Sequence, residues 1–305
     1  MENTGPLSQL TPAGPRALGT SDVNVSPIAW GMWRFQGALR PAIAAVEAAV
    51  DAGMTFLDTA AIYGIDTAGF GSSEVLLGQV FREVPDLRAQ VVLASKGGII
   101  PGIPYDSSPA AMMASLDESL TRLGIEQLDL WQIHRPDLLA HPTEVAATLD
   151  QMVSSGKVRA VGISNHTPAQ TRALLEHLTV PLASTQPEFS ALTLDSMTDG
   201  TLDLACGADI AVMAWSPLGG GRIVKPETPC EVAVAAALDI VAQAQDVSRA
   251  AAAISWIMAH PARPIPIVGS QTPARIADAA DAIQVRWTRS EWYDVLVASR
   301  GAPMP

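Results

Sequence analysis

Short apolar segments alternate with helical segments along most of this 305-residue chain, and this alternation limits the fold more than any other feature. Each apolar segment is followed by a predicted helix. Strands that are apolar throughout are buried on both faces, which is typical of a parallel sheet joined by crossover helices. The core strands are predicted at 27–33, 55–58, 91–95, 128–133, 158–163, 182–185, 210–214 and 263–268.

Helix start signals support the alternation. Ser108 before Pro109 predicts an N-cap with proline at the first helical position, and Ser72 or Ser73 before Glu74 predicts another cap. Residues 16–24 predict a β-hairpin around a Gly-Thr-Ser-Asp turn. The helices are predicted at 41–52, 73–82, 109–123, 143–155, 168–177, 197–206, 231–244, 248–260, 273–280 and 290–299.

Eight strand–helix units without a change of composition predict one α/β domain, a (β/α)8 TIM barrel with an N-terminal β-hairpin and extra C-terminal helices. We expect this domain to cover residues 16–305 and residues 1–15 to form a flexible tail. A doubly wound Rossmann sheet is the competing fold. It requires a G-x-G-x-x-G turn after the first strand, and the residues at 30–33 are Trp-Gly-Met-Trp.

Composition limits the partners and the compartment. A formal net charge of −12 argues against nucleic acid and anionic membrane surfaces. No apolar run reaches the length of a membrane span, and the N-terminal residues do not resemble a signal peptide. Cys206 and Cys230 lack a CxxC spacing and are interpreted as structural. Two cysteines cannot form a scaffold of disulfides, so we expect a cytoplasmic protein, and separately we expect a monomer.

Ionisable residues follow three consecutive predicted strands. Asp58 ends the second strand, with Tyr63 in the loop after it, while Lys96 and His134 follow the third and fourth strands. The C-terminal ends of barrel strands carry the active site. Lys96, one of three lysines in the chain, needs a counter-charge, and Asp58 can supply it. We expect the lysine to lower the pKa of Tyr63 and His134 to donate a hydrogen bond to a carbonyl oxygen.

The same residues have plainer interpretations. Asp58 alone could be a turn residue, Lys96 a strand-end lysine that reaches solvent, and His134 a core histidine. Together, at one face of a barrel, they favour a site that protonates a carbonyl oxygen. One histidine without a second ligand at metal spacing predicts no metal site, and no serine lies on a G-x-S-x-G elbow.

Reduction of a carbonyl also requires a hydride source, which points to a dinucleotide. Ser270, Gln271 and Arg275 lie at the start of the helix after the last strand, which is predicted to be N-capped, and free N–H groups and an arginine there favour an anion. The glycine-rich loop at 216–221 follows the seventh strand, and barrels often bind phosphate at these two loops. Met32 and Trp33, after the first strand, are predicted to form a wall of the substrate pocket.

These motifs resemble the aldo-keto reductase superfamily along nearly the whole chain, and within it a bacterial branch with short loops. The matching segments are Arg-Ala-Leu-Gly-Thr-Ser-Asp-Val-Asn-Val-Ser at 16–26, Phe-Leu-Asp-Thr-Ala-x-x-Tyr-Gly at 56–64, Ser-Glu at 73–74, Ser-Lys at 95–96, Asp-Leu-Trp-Gln-Ile-His-Arg-Pro-Asp at 129–137, Val-Gly-Ile-Ser-Asn at 161–165, Gln186, Ser-Pro-Leu-Gly at 216–219 and Pro-Ile-Val-Gly-Ser at 266–270.

The resemblance implies that Tyr63 is the general acid/base, that Lys96 and Asp58 tune it, and that His134 orients the substrate carbonyl. It implies that Trp215 stacks on the nicotinamide ring, where the family usually has tyrosine. The residues predicted to bind the cofactor are Ser164, Asn165, Gln186, Trp215, Ser216, Leu218, Gly219, Ser270, Gln271 and Arg275.

Two departures from the family's pattern concern the adenine end of the cofactor, with its 2′-phosphate. Many members have a lysine before the serine that corresponds to Ser270, where it helps to bind the 2′-phosphate, and this chain has Gly269. The usual acid–asparagine pair at the adenine is Asp278-Ala279 here. Because Arg275 is retained, NADP(H) is favoured, with NAD(H) as the alternative.

Three functions follow from this interpretation. The first is an NADPH-dependent reductase that converts aldehyde, ketone or sugar carbonyls to alcohols. The second is an NAD(P)-dependent sugar or alcohol dehydrogenase that works in the oxidative direction. The third is a cofactor-binding regulatory subunit with little turnover, and a turnover assay separates it from the other two.

Overall fold

The computed structural model describes residues 14–305, so the predicted tail at 1–15 lies outside the described residues except for its last two positions. A two-stranded antiparallel hairpin, β1 (Arg16–Ala17) and β2 (Asn24–Val25), precedes the barrel. The barrel strands are β3 (Ala29–Gly31), β4 (Phe56–Asp58), β5 (Val92–Gly97), β6 (Leu128–Ile133), β7 (Val158–Ser164), β8 (Leu182–Gln186), β9 (Ala211–Ala214) and β10 (Ile265–Val268). They are parallel, and β10 closes the barrel between β9 and β3. The predicted (β/α)8 barrel and hairpin are confirmed.

Helices surround the barrel and connect its strands. They are α1 (Leu39–Asp51), α2 (Ser72–Glu83), α3 (Asp86–Gln90), α4 (Pro109–Leu123), α5 (Pro142–Ser154), α6 (Pro168–Leu175), α7 (Asp195–Thr198), α8 (Thr201–Gly207), α9 (Pro229–Ala244), α10 (Arg249–Met258), α11 (Pro273–Ala280) and α12 (Arg289–Arg300). The extra C-terminal helix α12 packs against α9. No helix within residues 14–305 is both long enough and apolar enough to cross a membrane.

Some local predictions are wrong. The predicted helix at 197–206 is two helices, α7 and α8, because Gly200 between them has a φ of 91° that a helix cannot continue through. The N-cap of α2 is Gly71, also left-handed, and neither Ser72 nor Ser73 caps it. Thr272 precedes α11 without a side-chain cap. The short helix α3 has no counterpart in the prediction.

The barrel interior changes character along its axis. Toward the N-terminal ends of the strands, apolar side chains such as Phe56, Ala94 and Leu130 fill it. Two residues further along the same strands, on the same face, stand Asp58, Lys96 and Gln132, all buried. The chain thus places a set of polar groups in a dry environment at the C-terminal end of the barrel. The two cysteines do not belong to the core, because both are free thiols on exposed residues.

Candidate active site

Asp58, Tyr63, Lys96 and His134 meet at the C-terminal mouth of the barrel. Lys96 Nζ lies 2.7 Å from Asp58 Oδ2, 3.2 Å from the Tyr63 hydroxyl and 2.8 Å from the Thr59 carbonyl oxygen. The Tyr63 and His134 rings meet edge to face, with centroids 5.8 Å apart. Lys96 is completely buried, so its ammonium is satisfied entirely by these oxygen atoms.

Burial raises the pKa of Tyr63 above its ordinary value, although the positive charge of Lys96 acts in the opposite direction. Lys96 therefore acts on this pKa in the predicted direction, but the net pKa is raised rather than lowered, because desolvation of the phenolate outweighs the effect of the cation. For Lys96, burial lowers the pKa, but the charges of Asp58 and Tyr63 overcome this effect and the net pKa is raised. At neutral pH the site therefore holds a protonated phenol beside a charged ammonium.

His134 is neutral at neutral pH. Burial, followed by the positive charges of Lys96 and Arg135, holds its pKa well below the ordinary range. Its Nδ1 is buried without a hydrogen-bond partner among the described residues. Because a buried N–H without an acceptor is rarer than an acceptor without a donor, we assign the proton to Nε2. His134 can then donate one hydrogen bond from Nε2.

The loop that carries Tyr63 is tied down at its C-terminal side by the first turn of α2. The Ser73 hydroxyl lies 3.3 Å from both the Thr59 hydroxyl and the Met32 carbonyl oxygen. Glu74 is wholly buried, accepts a hydrogen bond from Ser95 at 2.5 Å, and pairs with Arg122 Nε at 2.7 Å. Ser73 and Glu74 therefore hold Thr59, the neighbour of Asp58, and Ser95, the neighbour of Lys96.

A second group of side chains lines the mouth on the β7–β9 side. Asn165 has left-handed backbone geometry with φ 59°, and its amide donates to the Ser164 hydroxyl at 2.7 Å. The indole N–H of Trp215 donates to Asn165 Oδ1 at 3.0 Å, which fixes the orientation of the half-buried ring. Gln186 donates its amide N–H to Asp58 at 3.1 Å. The structure thus brings together the residues predicted to bind a carboxamide and a ring.

The glycine-rich loop after β9 is folded on itself. Residues Gly219–Gly221 form a 3-10 turn, in which the Gly220 N–H donates to the Ser216 hydroxyl at 2.9 Å. Leu218 next to it is half-buried. Ser216 has a φ of 56°, so the chain reverses sharply just after Trp215. These contacts hold the loop beside the strand end.

Ser270, Gln271 and Arg275 lie where α11 begins, against the end of β3. The Trp30 indole donates to the Ser270 carbonyl oxygen at 2.8 Å, and the Gln271 amide donates to the Gly31 carbonyl oxygen at 3.0 Å. Arg275 is exposed. A second cation, Arg34, lies close to the start of this loop. Its Nη1 is 3.7 Å from the position that a Cβ would take at Gly269.

The two residues predicted to form a pocket wall differ in position. Trp33 is 53% exposed, and its ring meets the Tyr63 ring edge to face at 5.1 Å. Met32 is completely buried in the core between barrel and helices, so it is not available as a wall of the mouth. The chain turns directly after β3, with the Phe35 N–H donating to the Met32 carbonyl oxygen, and only Trp33 of the two residues faces the site.

Several residues of the site were not singled out by sequence reasoning. They are the Thr59 carbonyl, Gln132, Arg135 and Arg34. Arg135 directly follows His134, and its guanidinium lies 5.8 Å from the Trp215 ring centroid. It makes no hydrogen bond or ion pair with any of residues 14–305. The sequence could have indicated Arg135, because it is a charged residue directly after a histidine at the end of a strand.

The sequence profile described as the Aldo/keto reductase family matches residues 27–296. The chain belongs to the aldo/keto reductase family. It is 56% identical over 298 residues to the 6-dehydroglucose reductase of Novosphingobium aromaticivorans, covering 96% of this chain and 98% of that protein. It is 34% identical to the 6-dehydroglucose reductase of Agrobacterium fabrum, covering 92% of this chain and 96% of that protein.

Solved aldo/keto reductase structures share the architecture. The glycerol dehydrogenase of Gluconobacter oxydans is 26% identical, with a TM-score of 0.82 over 96% of this chain and 98% of that one. A thermostable aldo-keto reductase in complex with the inhibitor epalrestat is 19% identical, with a TM-score of 0.80 over 93% and 99% of the two chains, and shows the fold alone. As a member of this family, the chain is an oxidoreductase of a class that acts on small carbonyl compounds with nicotinamide cofactors.

The side chains of this aldo/keto reductase fit such a cofactor. The Gln186 side-chain amide oxygen accepts no hydrogen bond from a described residue, which leaves an acceptor for a carboxamide. The orientation of the Trp215 ring is fixed by its hydrogen bond to Asn165. Arg275 and Arg34 supply positive charge at the loop after β10. No group of three His, Cys, Asp or Glu side chains that could hold a metal occurs within residues 14–305.

Proposed function

We propose that this protein is an NADPH-dependent reductase that converts a sugar aldehyde of the 6-dehydroglucose type to the primary alcohol, with Tyr63 as the proton donor. The observation that carries the proposal is the position of Lys96. Its buried ammonium lies within hydrogen-bond distance of both the Tyr63 hydroxyl and the Asp58 carboxylate. A proton donor with a pre-placed cation behind it suits the protonation of an alkoxide.

Each side chain has a defined part in this chemistry. Tyr63 carries its proton at neutral pH, because its pKa is raised, and donates it to the substrate oxygen. The phenolate that forms is stabilised by Lys96, which Asp58 keeps charged. His134, as a neutral donor, orients the same oxygen through Nε2. When bound, a reduced nicotinamide supplies the hydride for the carbonyl carbon.

The preference for NADP(H) rests on cations at the loop after β10. Arg275 is at the position that the family uses for phosphate, and Arg34 reaches the space that a lysine at 269 would occupy. We propose that Arg34 replaces this lysine at the 2′-phosphate. Guanidinium groups bind phosphate oxygens in a bidentate manner, so two arginines suit this role.

The proposed substrate class rests on the similarity to two 6-dehydroglucose reductases and on the side chains at the mouth of the barrel. 6-Dehydroglucose carries an aldehyde at C6 in place of the primary alcohol, so the product is glucose. Trp33 offers an exposed aromatic face beside Tyr63, and Arg135 has no described hydrogen-bond partner at the same mouth. An aromatic surface with a few placed polar donors is typical of a small-molecule site. A monomer in the cytoplasm remains the expectation from the sequence.

The oxidative direction uses the same residues, with Tyr63 accepting the proton. The likeness to a glycerol dehydrogenase keeps this direction open. Assays started from the aldehyde with NADPH and from the alcohol with NADP⁺ measure both rates at one pH.

The test of the proposed function is Tyr63→Phe. We expect turnover of 6-dehydroglucose to fall about 10²–10⁴-fold, because the general acid is removed. NADPH binding, followed by quenching of tryptophan fluorescence, should stay as in the wild type. Tyr293→Phe makes the same substitution on α12, at a residue that packs on Trp292, and should retain turnover. Full activity of Tyr63→Phe, or a wild-type protein that binds neither dinucleotide, would overturn the proposal.

A further inference from the structure

Gln132 is a buried polar residue on β6 that the proposed mechanism does not use. It is completely buried, and its Nε2 lies 3.3 Å from Asp58 Oδ1. An ionised carboxylate only accepts hydrogen bonds, so this contact fixes which end of the amide faces Asp58. The amide oxygen of Gln132 then faces the Ser184 hydroxyl at 3.3 Å and Gln186 Nε2 at 3.4 Å.

Gly162 allows these contacts across an intervening strand. In the barrel register, Gln132 is opposite Gly162 on β7, and Gly162 is opposite Ser184 on β8. A Cβ at Gly162 would lie 2.2 Å from Ser184 Oγ and 3.1 Å from Gln132 Cγ. Only a residue without a side chain therefore lets β6 and β8 touch over β7. The Val-Gly-Ile-Ser-Asn segment has a physical reason for its glycine.

The contacts close into one network around Asp58. Gln132 and Gln186 both donate to Oδ1 of Asp58, at 3.3 Å and 3.1 Å, while Lys96 donates to Oδ2 at 2.7 Å. Asp58, Gln132, Ser184 and Gln186 are all buried. Hydrogen bonds in a dry interior are strong when every partner is satisfied and costly when one is lost. A change at Gln186 therefore reaches Asp58 directly and through Gln132.

We propose that Gln132 is a positioning residue that couples the cofactor-binding amide of Gln186 to the Asp58–Lys96–Tyr63 proton pathway. This inference rests on the proposed function, which assigns Gln186 to the nicotinamide carboxamide. Gln132 orients Gln186 from one side, through its amide oxygen, and Asp58 from the other, through its amide nitrogen. Because its side chain is completely buried, we infer that it acts through these two residues.

The first variant is Gln132→Met, which keeps the length of the side chain and removes its hydrogen bonds to Asp58, Ser184 and Gln186. We expect the dissociation constant for NADPH to rise severalfold and kcat to fall about tenfold, the effect of losing a net hydrogen bond at each of two sites. Thr148→Val is the matched control. It removes a buried hydroxyl on α5 that bonds only within its own helix, and should change neither quantity.

The second variant is Gln132→Glu, with a readout in the pH profile. Charged or titratable groups around this position are Asp58 on β4, Lys96 on β5, Tyr63 in its loop and His134 just after β6, while β7 and β8 contribute only Gly162, Ser184 and Gln186. Two carboxyl groups that share a site raise the pKa of one of them. While the introduced carboxyl is protonated, it can donate to Asp58 as the amide does. Activity should therefore approach the wild type at low pH and fall as pH rises and the introduced carboxyl ionises.

The outcomes separate the two claims. If Gln132→Met binds NADPH like the wild type with an unchanged kcat, or if Gln132→Glu has the wild-type pH profile, the coupling is overturned while the reductase stands. Should Gln132→Met fail to fold by circular dichroism, the Gln132→Glu profile decides. A wild-type protein that binds neither NADPH nor NADH removes the proposed function and the coupling with it.

Discussion

Lys96 shows how a single buried charge can organise a site. A lysine without exposure costs free energy unless its charge is compensated, and here a carboxylate, a phenol and a carbonyl oxygen all lie within 3.2 Å of Nζ. The raised pKa of Lys96 keeps the cation in place, while the raised pKa of Tyr63 keeps the proton on the phenol. In the proposed mechanism, this resting site is set for proton donation, and the cation stabilises the phenolate only after the proton has left.

Arg34 gives a prediction at the same scale. Because its guanidinium reaches the space beside Gly269, Arg34→Ala should weaken NADPH binding about tenfold or more and NADH binding much less. Fluorescence titrations with both cofactors measure the ratio. Arg34→Lys keeps the charge and should restore part of the preference. Arg40→Ala, at an exposed residue of α1, is the control. Equal losses for NADPH and NADH would assign Arg34 to a group that both cofactors share.

At the scale of elements, the helix starts show what local sequence can predict. The bounds of α4 and α11 agree with the prediction, and the Ser108 side chain caps α4 as expected. The start of α2 was mispredicted because the chain enters it through Gly71 in a left-handed conformation, and serines next to a glycine look like caps whether or not they cap. Ser73 is instead used for contacts with distant residues, which local sequence does not reveal.

The anchor of α2 leads to a prediction about stability. Glu74 is wholly buried and paired with Arg122, so Glu74→Gln should lower the free energy of unfolding by about 3 kcal/mol, since it removes the buried counter-charge of a largely buried guanidinium. Arg122 also pairs with the exposed Glu118, one turn earlier on α4. Glu118→Gln should cost about 0.5 kcal/mol or less. Urea unfolding of both variants tests this, and similar losses would contradict the role of burial.

At the scale of the whole molecule, the fold was predictable because the alternation of apolar strands and helices repeats along the entire chain. The catalytic candidates were predictable because Asp58, Lys96 and His134 lie at or just after strand ends, where barrels carry their chemistry. Gln132 and Gly162 were not singled out, since their contact passes over a strand and depends on barrel register. Arg34 was not predicted as a site residue because its guanidinium reaches the space beside a glycine, Gly269, that is distant from it in the sequence.

Folding of the barrel also partly buries three histidines, and this predicts how stability depends on pH. Burial lowers the pKa of His134, His166 and His260, that of His166 to about 4. Between pH ~6.5 and about 4, the unfolded chain therefore binds protons that the folded chain does not, so the free energy of unfolding falls as pH falls. For His166 alone the loss by pH 5 is about 1–2 kcal/mol.

Urea unfolding at pH 7 and pH 5 measures this loss. His166→Gln should show a smaller difference between the two pH values than the wild type, because its side chain does not titrate. His177→Gln, at an exposed histidine, should keep the wild-type difference. A wild-type protein that is as stable at pH 5 as at pH 7 would mean that these histidines are protonated in the folded state. The lowered pKa assigned to His134 would then be contradicted, so the stability profile also tests the electrostatics of the site.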